Sequence, residues 1–153
     1  MPKFMKIIAE NRKAYFNYDI LEKFKAGIVL QGQEVKSIKN GRINLQGAFV
    51  VVKGEEVFLI GARIPPYQPK NAPKDYNPQR SRKLLLRKSE IKHLIGKAKQ
   101  KGLTMAPLKV YTDKGKIKIE FAIVKGKKKV DKREQIKKRE IEREIRRILK
   151  EKI

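Results

Sequence analysis

The chain has 153 residues and carries 40 Lys and Arg against 16 Asp and Glu, a formal net charge of +24. That excess is larger than solubility asks of one domain and calls for a polyanionic partner: nucleic acid, an anionic membrane or an acidic protein. No apolar run approaches the roughly 18 residues of a spanning helix, which sets the membrane aside, and the absence of cysteine excludes disulfides, thiolate catalysis and cysteine-ligated zinc. Nucleic acid leads. Met1-Pro2-Lys3-Phe4-Met5 opens no long apolar segment, so no export signal is read and the cytoplasm is the expected address.

In chain order, residues 1–10 mix basic and apolar side chains and read as a flexible arm. The aromatic-rich stretch from Tyr15 to Phe24 reads as a strand running on to Gly27-Ile28-Val29-Leu30. Gly27 marks a bulge or bend, and alternation sets Phe16, Tyr18 and Phe24 on one face, opposite Tyr15. Val35 and Ile38 lie one helical turn apart, in a helix from Glu34 that Asn40-Gly41 closes. Ala48–Val52 and Val57–Ile60 flank Lys53-Gly54-Glu55-Glu56 as a hairpin. Pro65, Pro66, Pro69, Pro73 and Pro78 follow, five of the seven prolines, so neither helix nor central strand crosses this loop. Lys83–Leu86 is a short strand. Ser89 is the N-cap of a helix that sets Ile91, Leu94, Ile95 and Ala98 on one face and stops at Gly102. Leu108–Tyr111 and Ile117–Phe121 form a second hairpin about Asp113-Lys114-Gly115.

After Val124 the composition changes. Residues 125–153 hold 14 basic and 6 acidic side chains and no aromatic. Ile141, Ile145, Ile148 and Leu149 fall at i, i+4, i+7 and i+8, a narrow helical stripe, and Glu142–Arg146 and Glu134–Lys138 add i,i+4 pairs. Such a helix is marginal alone, so this is a tail that is disordered, or helical on binding. Short strands in antiparallel order with few helices give a mainly β fold. The expected architecture is a small OB-fold-like β-barrel over residues 1–124, with a basic C-terminal tail over 125–153.

Catalysis finds no support. His93, the one histidine, reads as a solvated helix residue; the carboxylates are scattered, and no phosphate-binding glycine loop is present. No catalytic residue, metal ligand or cofactor is expected. The basic clusters, Arg80-Ser81-Arg82-Lys83 and the run Lys125–Lys129, sit at the barrel rims, where Lys and Arg neutralise phosphates and release counterions. Tyr15, Phe16, Tyr18, Phe24, Phe49 and Tyr67 are candidates for stacking on unpaired bases, at ~1–3 kcal/mol per base. At least half of them must serve the core.

Four segments in order resemble the small protein B family of SsrA-binding proteins. They are Asn11-Arg12-Lys13-Ala14; Ala26-Gly27-Ile28 running to Gly32-Gln33-Glu34-Val35-Lys36-Ser37; Arg80-Ser81-Arg82-Lys83-Leu84-Leu85-Leu86; and Lys125-Gly126-Lys127-Lys128 with Asp131-Lys132-Arg133. The resemblance implies an OB-like barrel that binds the tRNA-like domain of transfer-messenger RNA (tmRNA) and enters stalled ribosomes for trans-translation. There the tail would lie in the empty mRNA path by the rRNA of the decoding region, and the nascent chain would be tagged for proteolysis. Asn11, Arg12, Lys13, Tyr18 and Leu85 match RNA-binding positions of the family, and Lys36, Arg80, Arg82 and Lys83 join them as cations within the matching segments. Gly126, Lys127, Lys128, Asp131, Lys132 and Arg133 match the tail motif that acts on the ribosome. Alanyl-tRNA synthetase and elongation factor Tu would be met through the RNA, by a monomer. The chain departs from the family at Lys25, where an acidic residue is common, at Val130 for His or Tyr, and at Gly47-Ala48-Phe49 for Asp-Ser-Tyr. The alternative is another OB-like RNA-binding module of a ribosomal protein or translation factor.

Overall fold

In a computed structural model, which describes residues 5–126, 139–141 and 143–147, the alternating segments become seven strands. The order is β1 (Met5–Glu10), α1 (Arg12–Asn17), β2 (Tyr18–Ile28), α2 (Gly32–Lys39), β3 (Phe49–Lys53), β4 (Glu56–Ile60), β5 (Arg82–Leu85), α3 (Lys88–Ala98), β6 (Leu103–Asp113) and β7 (Lys116–Gly126), with one 3-10 turn at Pro69–Asn71. All strand pairs are antiparallel. The ring β6-β3-β4-β5-β2-β7 closes where β7 returns to β6, and β1 lies along the far half of β6. The fold is the expected one: mainly β, with short helices on an OB-like barrel.

Both hairpins form where glycine turns allow, at Gly54 (φ 64°) and at Lys114-Gly115 (φ 51° and 80°), the left-handed pair that suits the twist of a tight hairpin. Inward side chains such as Val57, Leu59, Ile119 and Phe121 are completely buried, and Leu94 of α3 joins the same cluster. Phe24 sits opposite Phe121 with ring centroids 5.5 Å apart. A second cluster lies under α1, where Ala14 packs on Ala106, Leu108, Ala122 and Val124.

Three local readings are corrected. Residues 5–10 are a strand rather than a free arm: β3 pairs in register with β6 only at Val50–Met105, and β1 takes the β6 edge from Lys109 to Asp113 with Ile8 and Ala9 packed on the core. Residues 12–17 are helical although aromatics at 15 and 16 favour a strand, so Phe16 shares no strand face with Tyr18 and Phe24. The cause is non-local. The β6–β7 register shifts between Pro107 and Lys109, where proline has no N–H for the ladder. The freed Pro107 carbonyl accepts from Asn11 Nδ2 (2.9 Å) and the Leu108 carbonyl from the Asn11 backbone N–H (2.7 Å). Asn11 therefore pins the start of α1 to the bulge. Helix α3 begins one residue before Ser89, with Arg87 as N-cap and its N–H donating to the Glu90 carboxylate at 3.2 Å.

Candidate nucleic-acid interface

The side chains that reach across the barrel start from α2. Glu34, at its third position, accepts the Gln31 backbone N–H at 2.9 Å, which closes the first turn. The carboxylate is completely buried and so requires partners. Arg82 Nε donates to it at 2.8 Å, Arg80 Nε at 3.2 Å and a second Arg80 nitrogen closer still, and the Tyr76 hydroxyl stands 3.2 Å away. Burial pushes the Glu34 carboxyl up, but hydrogen bonds from Arg80, the Gln31 N–H and Arg82 outweigh it and hold the group below the usual carboxylate range. Arg82 also donates to the carbonyls of Ala62 and Pro78, both at 2.9 Å, the Tyr76 hydroxyl to Ile64 at 2.7 Å, and Ser37 Oγ to Pro65 at 2.7 Å. The proline loop is thus strapped to α2 by side chains. Arg82, expected among the RNA-contacting cations, is fully buried and structural; Arg80 is largely committed to Glu34, with 27% of its side chain exposed.

Other expected residues gather in two clefts. The first, of about 290 Å³, lies between α1 and the turn before β3 and includes Asn11, Lys13, Tyr18 and Phe49. Lys13 and its neighbour Arg12 are exposed, Tyr18 is half-buried, and Asn11 is held inside as described. The second, of about 340 Å³, lies where β2 meets β5 and the start of α3: Leu85 stands 54% exposed beside Gly27, ringed by Lys25, Arg87 and Lys118. Lys36 is exposed with its ammonium 5.8 Å from the Tyr67 ring centre. Lys83 points out and pairs with Glu56 at 3.4 Å. The fold therefore does not unite the expected residues into one patch. Gly126 is exposed opposite Tyr18 in the β2–β7 ladder, so the tail leaves the barrel beside the first cleft. Lys127, Lys128, Asp131, Lys132 and Arg133 lie outside the described residues. Further on, residues 139–141 and 143–147 are helical, and the Arg139 guanidinium lies 5.1 Å from the Phe16 ring centre.

Lys25 is read from the sequence only as a departure from the family, and Arg87 and Lys118, like Asn17 and Gln46 of the first cleft, escape sequence reading. They come from separate elements, and only the strand register brings them together. His93 lies 2.8 Å from a Glu22 carboxylate oxygen. Among the described residues no three His, Asp or Glu side chains are grouped to hold a metal ion, and no helix is long and apolar enough to cross a membrane.

A family model described as "SmpB protein" matches residues 8–151. Among curated relatives, the SsrA-binding protein of Caldicellulosiruptor saccharolyticus is 52% identical over 147 residues, covering 96% of this chain and 92% of its own. That of Syntrophobacter fumaroxidans is 51% identical over 145 residues (95% and 89%), and that of Geobacillus kaustophilus 50% over 146 (95% and 94%). A chain in the solved structure described as "tmRNA-SmpB: a journey to the center of the bacterial ribosome" superposes with a TM-score of 0.65 at 43% identity, over 79% of this chain and 85% of that one.

Proposed function

This chain belongs to the SmpB protein family, and on that premise we propose that it binds the tRNA-like domain of tmRNA and delivers it to stalled ribosomes for trans-translation. It acts as a binding protein rather than an enzyme, in the cytoplasm, and meets alanyl-tRNA synthetase and elongation factor Tu through the RNA. The observation that carries the reading is the extent of the match, which runs from β1 through the barrel and into the basic tail. A generic OB-like RNA binder would share the barrel but not the tail. Asn11, Arg12, Lys13, Tyr18 and Leu85 serve RNA binding, with Lys36, Arg80 and Lys83 adding charge at the rims. Of these, Asn11 works by holding α1 in place, since its amide is buried against the β6 bulge.

In this division of labour the barrel grips the RNA, and the tail, from Gly126 through Lys127, Lys128, Asp131, Lys132 and Arg133, acts on the ribosome. The test pairs two assays: filter binding of the tRNA-like domain against rRNA fragments of equal length, and peptide tagging on a message without a stop codon. Preference for the tRNA-like domain together with tagging supports the reading. Equal affinity for all RNAs without tagging identifies a general RNA-binding module instead.

A further inference from the structure

We propose that the seam between β3 and β6, at the C-terminal end of α3, is a docking site for a protein segment that carries one apolar side chain between acidic residues. The proposal goes beyond the RNA reading and does not depend on it: the cleft at this seam shares no lining residue with the two described above.

The cleft exists because the barrel wall is incompletely laced here. Continuing the antiparallel ladder beyond Val50–Met105 would set Val51 against Thr104 and Val52 against Leu103, but neither pair forms, and a space of about 240 Å³ opens beside them. Met105 and Ile123, neighbours across the β6–β7 ladder, are buried at this space; Val51, Val52 and Leu103 are half-buried, and Ala98 is exposed at the end of α3. Six of the eight described lining residues are therefore apolar, and the other two are Thr104 and Lys97. Among them is no ring for a base to stack on and no amide to read its edge, the groups that recognise an unpaired nucleotide. The volume lies below the ~300–1,000 Å³ of pockets that engulf a whole small molecule. It suits one aliphatic or aromatic side chain presented by a larger partner, the buried anchor of a protein interface.

The rim sets the partner's charge. Lys97 lines the cleft, Lys53 follows Val52, Lys99 and Lys101 lie between Ala98 and Leu103, and Lys125 stands opposite Leu103 in the β6–β7 ladder. Lys97 is half-buried and the other four are exposed. None of the five has an ion pair among the described residues. Glu56, opposite Lys53 in the β3–β4 ladder, is taken by Lys83 at 3.4 Å. Cations around an apolar centre repel the two occupants nearest at hand. A second copy brings a net charge of +24, and the chain's own tail, residues 125–153, holds 14 basic against 6 acidic side chains. An acidic segment is complementary instead. Its carboxylates at the rim speed encounter and fix register, while the apolar side chain between them supplies most of the affinity.

The test uses the full-length chain, carbon-13-labelled at its Val and Leu methyls. The probes are acidic peptides of Asp and Glu with Leu, Phe or Ala at the centre, and a uridylate hexamer. The Leu and Phe peptides are expected to shift the methyl signals of Val52 and Leu103, assigned with Val52→Ile and Leu103→Ile, and to bind about 10-fold more tightly than the Ala peptide. Ala98→Phe, a change at an exposed position, fills the cleft and is expected to abolish both the shifts and that preference, with an unchanged melting temperature. Lys99→Ala with Lys101→Ala is expected to weaken all three peptides and flatten their salt dependence while leaving the preference intact. Equal affinity for the three peptides, methyl signals that stay in place at millimolar peptide, or a preference that survives in Ala98→Phe overturns the proposal. A hexamer that moves the same methyls also overturns it, because the seam would then be a nucleic-acid surface. Ala98→Phe is expected to bind the tRNA-like domain as the wild type does, and a loss there would likewise place the seam on the RNA face. A wild-type chain that ignores the tRNA-like domain but takes the Leu peptide refutes the proposed function and leaves the docking site standing.

Discussion

Replacing Glu34 with Ala leaves the Arg82 guanidinium fully buried, with the carbonyls of Ala62 and Pro78 and the Tyr76 side chain as neutral partners and no counter-charge. An uncompensated buried charge costs about 3–5 kcal/mol, against a total of ~5–15 kcal/mol for a domain. At ~2–4 °C per kcal/mol for a chain of this size, the melting temperature falls by roughly 6–20 °C. Glu34→Gln keeps the shape and loses the charge, so it belongs near the lower end. Glu34→Leu with Arg82→Met removes both charges and is expected to cost much less than the two single changes together. Circular dichroism melts and urea titrations at pH 7 give all four corners of the cycle. A Glu34→Gln loss below about 1 kcal/mol, or strict additivity in the double variant, refutes the buried-charge argument. Acid supplies a second reading. The folded carboxyl titrates below its ordinary value of 4.5, so its contribution is fully present above that value and disappears as pH falls through the lower folded one. Wild-type stability must therefore decline more steeply than that of Glu34→Gln below about pH 4.5.

Asn11→Ala strips the Pro107 carbonyl of its donor and is expected to cost ~1–3 kcal/mol in urea unfolding; unchanged stability would show that the amide does not anchor α1. Arg12→Ala and Lys13→Ala each weaken binding to the tRNA-like domain and make the log–log salt dependence shallower by about 0.7–0.9. Tyr18→Ala weakens it with an unchanged slope, and slopes that fail to separate these variants would refute that division of charge and ring contacts. Ending the chain at Gly126 leaves binding to the tRNA-like domain within a few-fold and abolishes tagging, whereas equal loss of both would end the two-part reading.

What could be read from the sequence was local. The Gly54 and Lys114-Gly115 turns, the inward Ile91 and Leu94 of α3 and the proline loop each carry their signal within a few residues and form as read, apart from Ala98, which is exposed at the end of α3, and a 3-10 turn at Pro69–Asn71. Failures occurred where a distant partner decides. Tyr15 and Phe16 favour a strand by propensity, but a bulge at Pro107, more than ninety positions away, supplies the carbonyls that start a helix at Asn11. Arg82 looks like a rim cation because nothing near it in sequence is acidic. Its counter-ion is Glu34, forty-eight positions back, and the pair is visible only once β5 and α2 have met. The RNA-facing candidates divide in the same way: Arg12, Lys13 and Tyr18 fall together because they are neighbours in the chain, while the companions of Leu85 come from β2, β7 and α3.

The closed ring also dictates how this protein can be made. Met5 pairs with Asp113 and Tyr18 with Gly126, so β1 and the start of β2 wait for partners more than a hundred positions downstream, whereas the end of β2 meets β5 sooner, at Leu84 and Leu85. At ~5–20 residues per second of synthesis, that is about 5–20 s during which β1 and the start of β2 have no ladder. The β3–β4 hairpin can form early, but the barrel cannot close until the β6–β7 hairpin has left the ribosome, and non-local pairing of this kind is intrinsically slow. The basic segment after Gly126 is synthesised after all seven strands of the barrel.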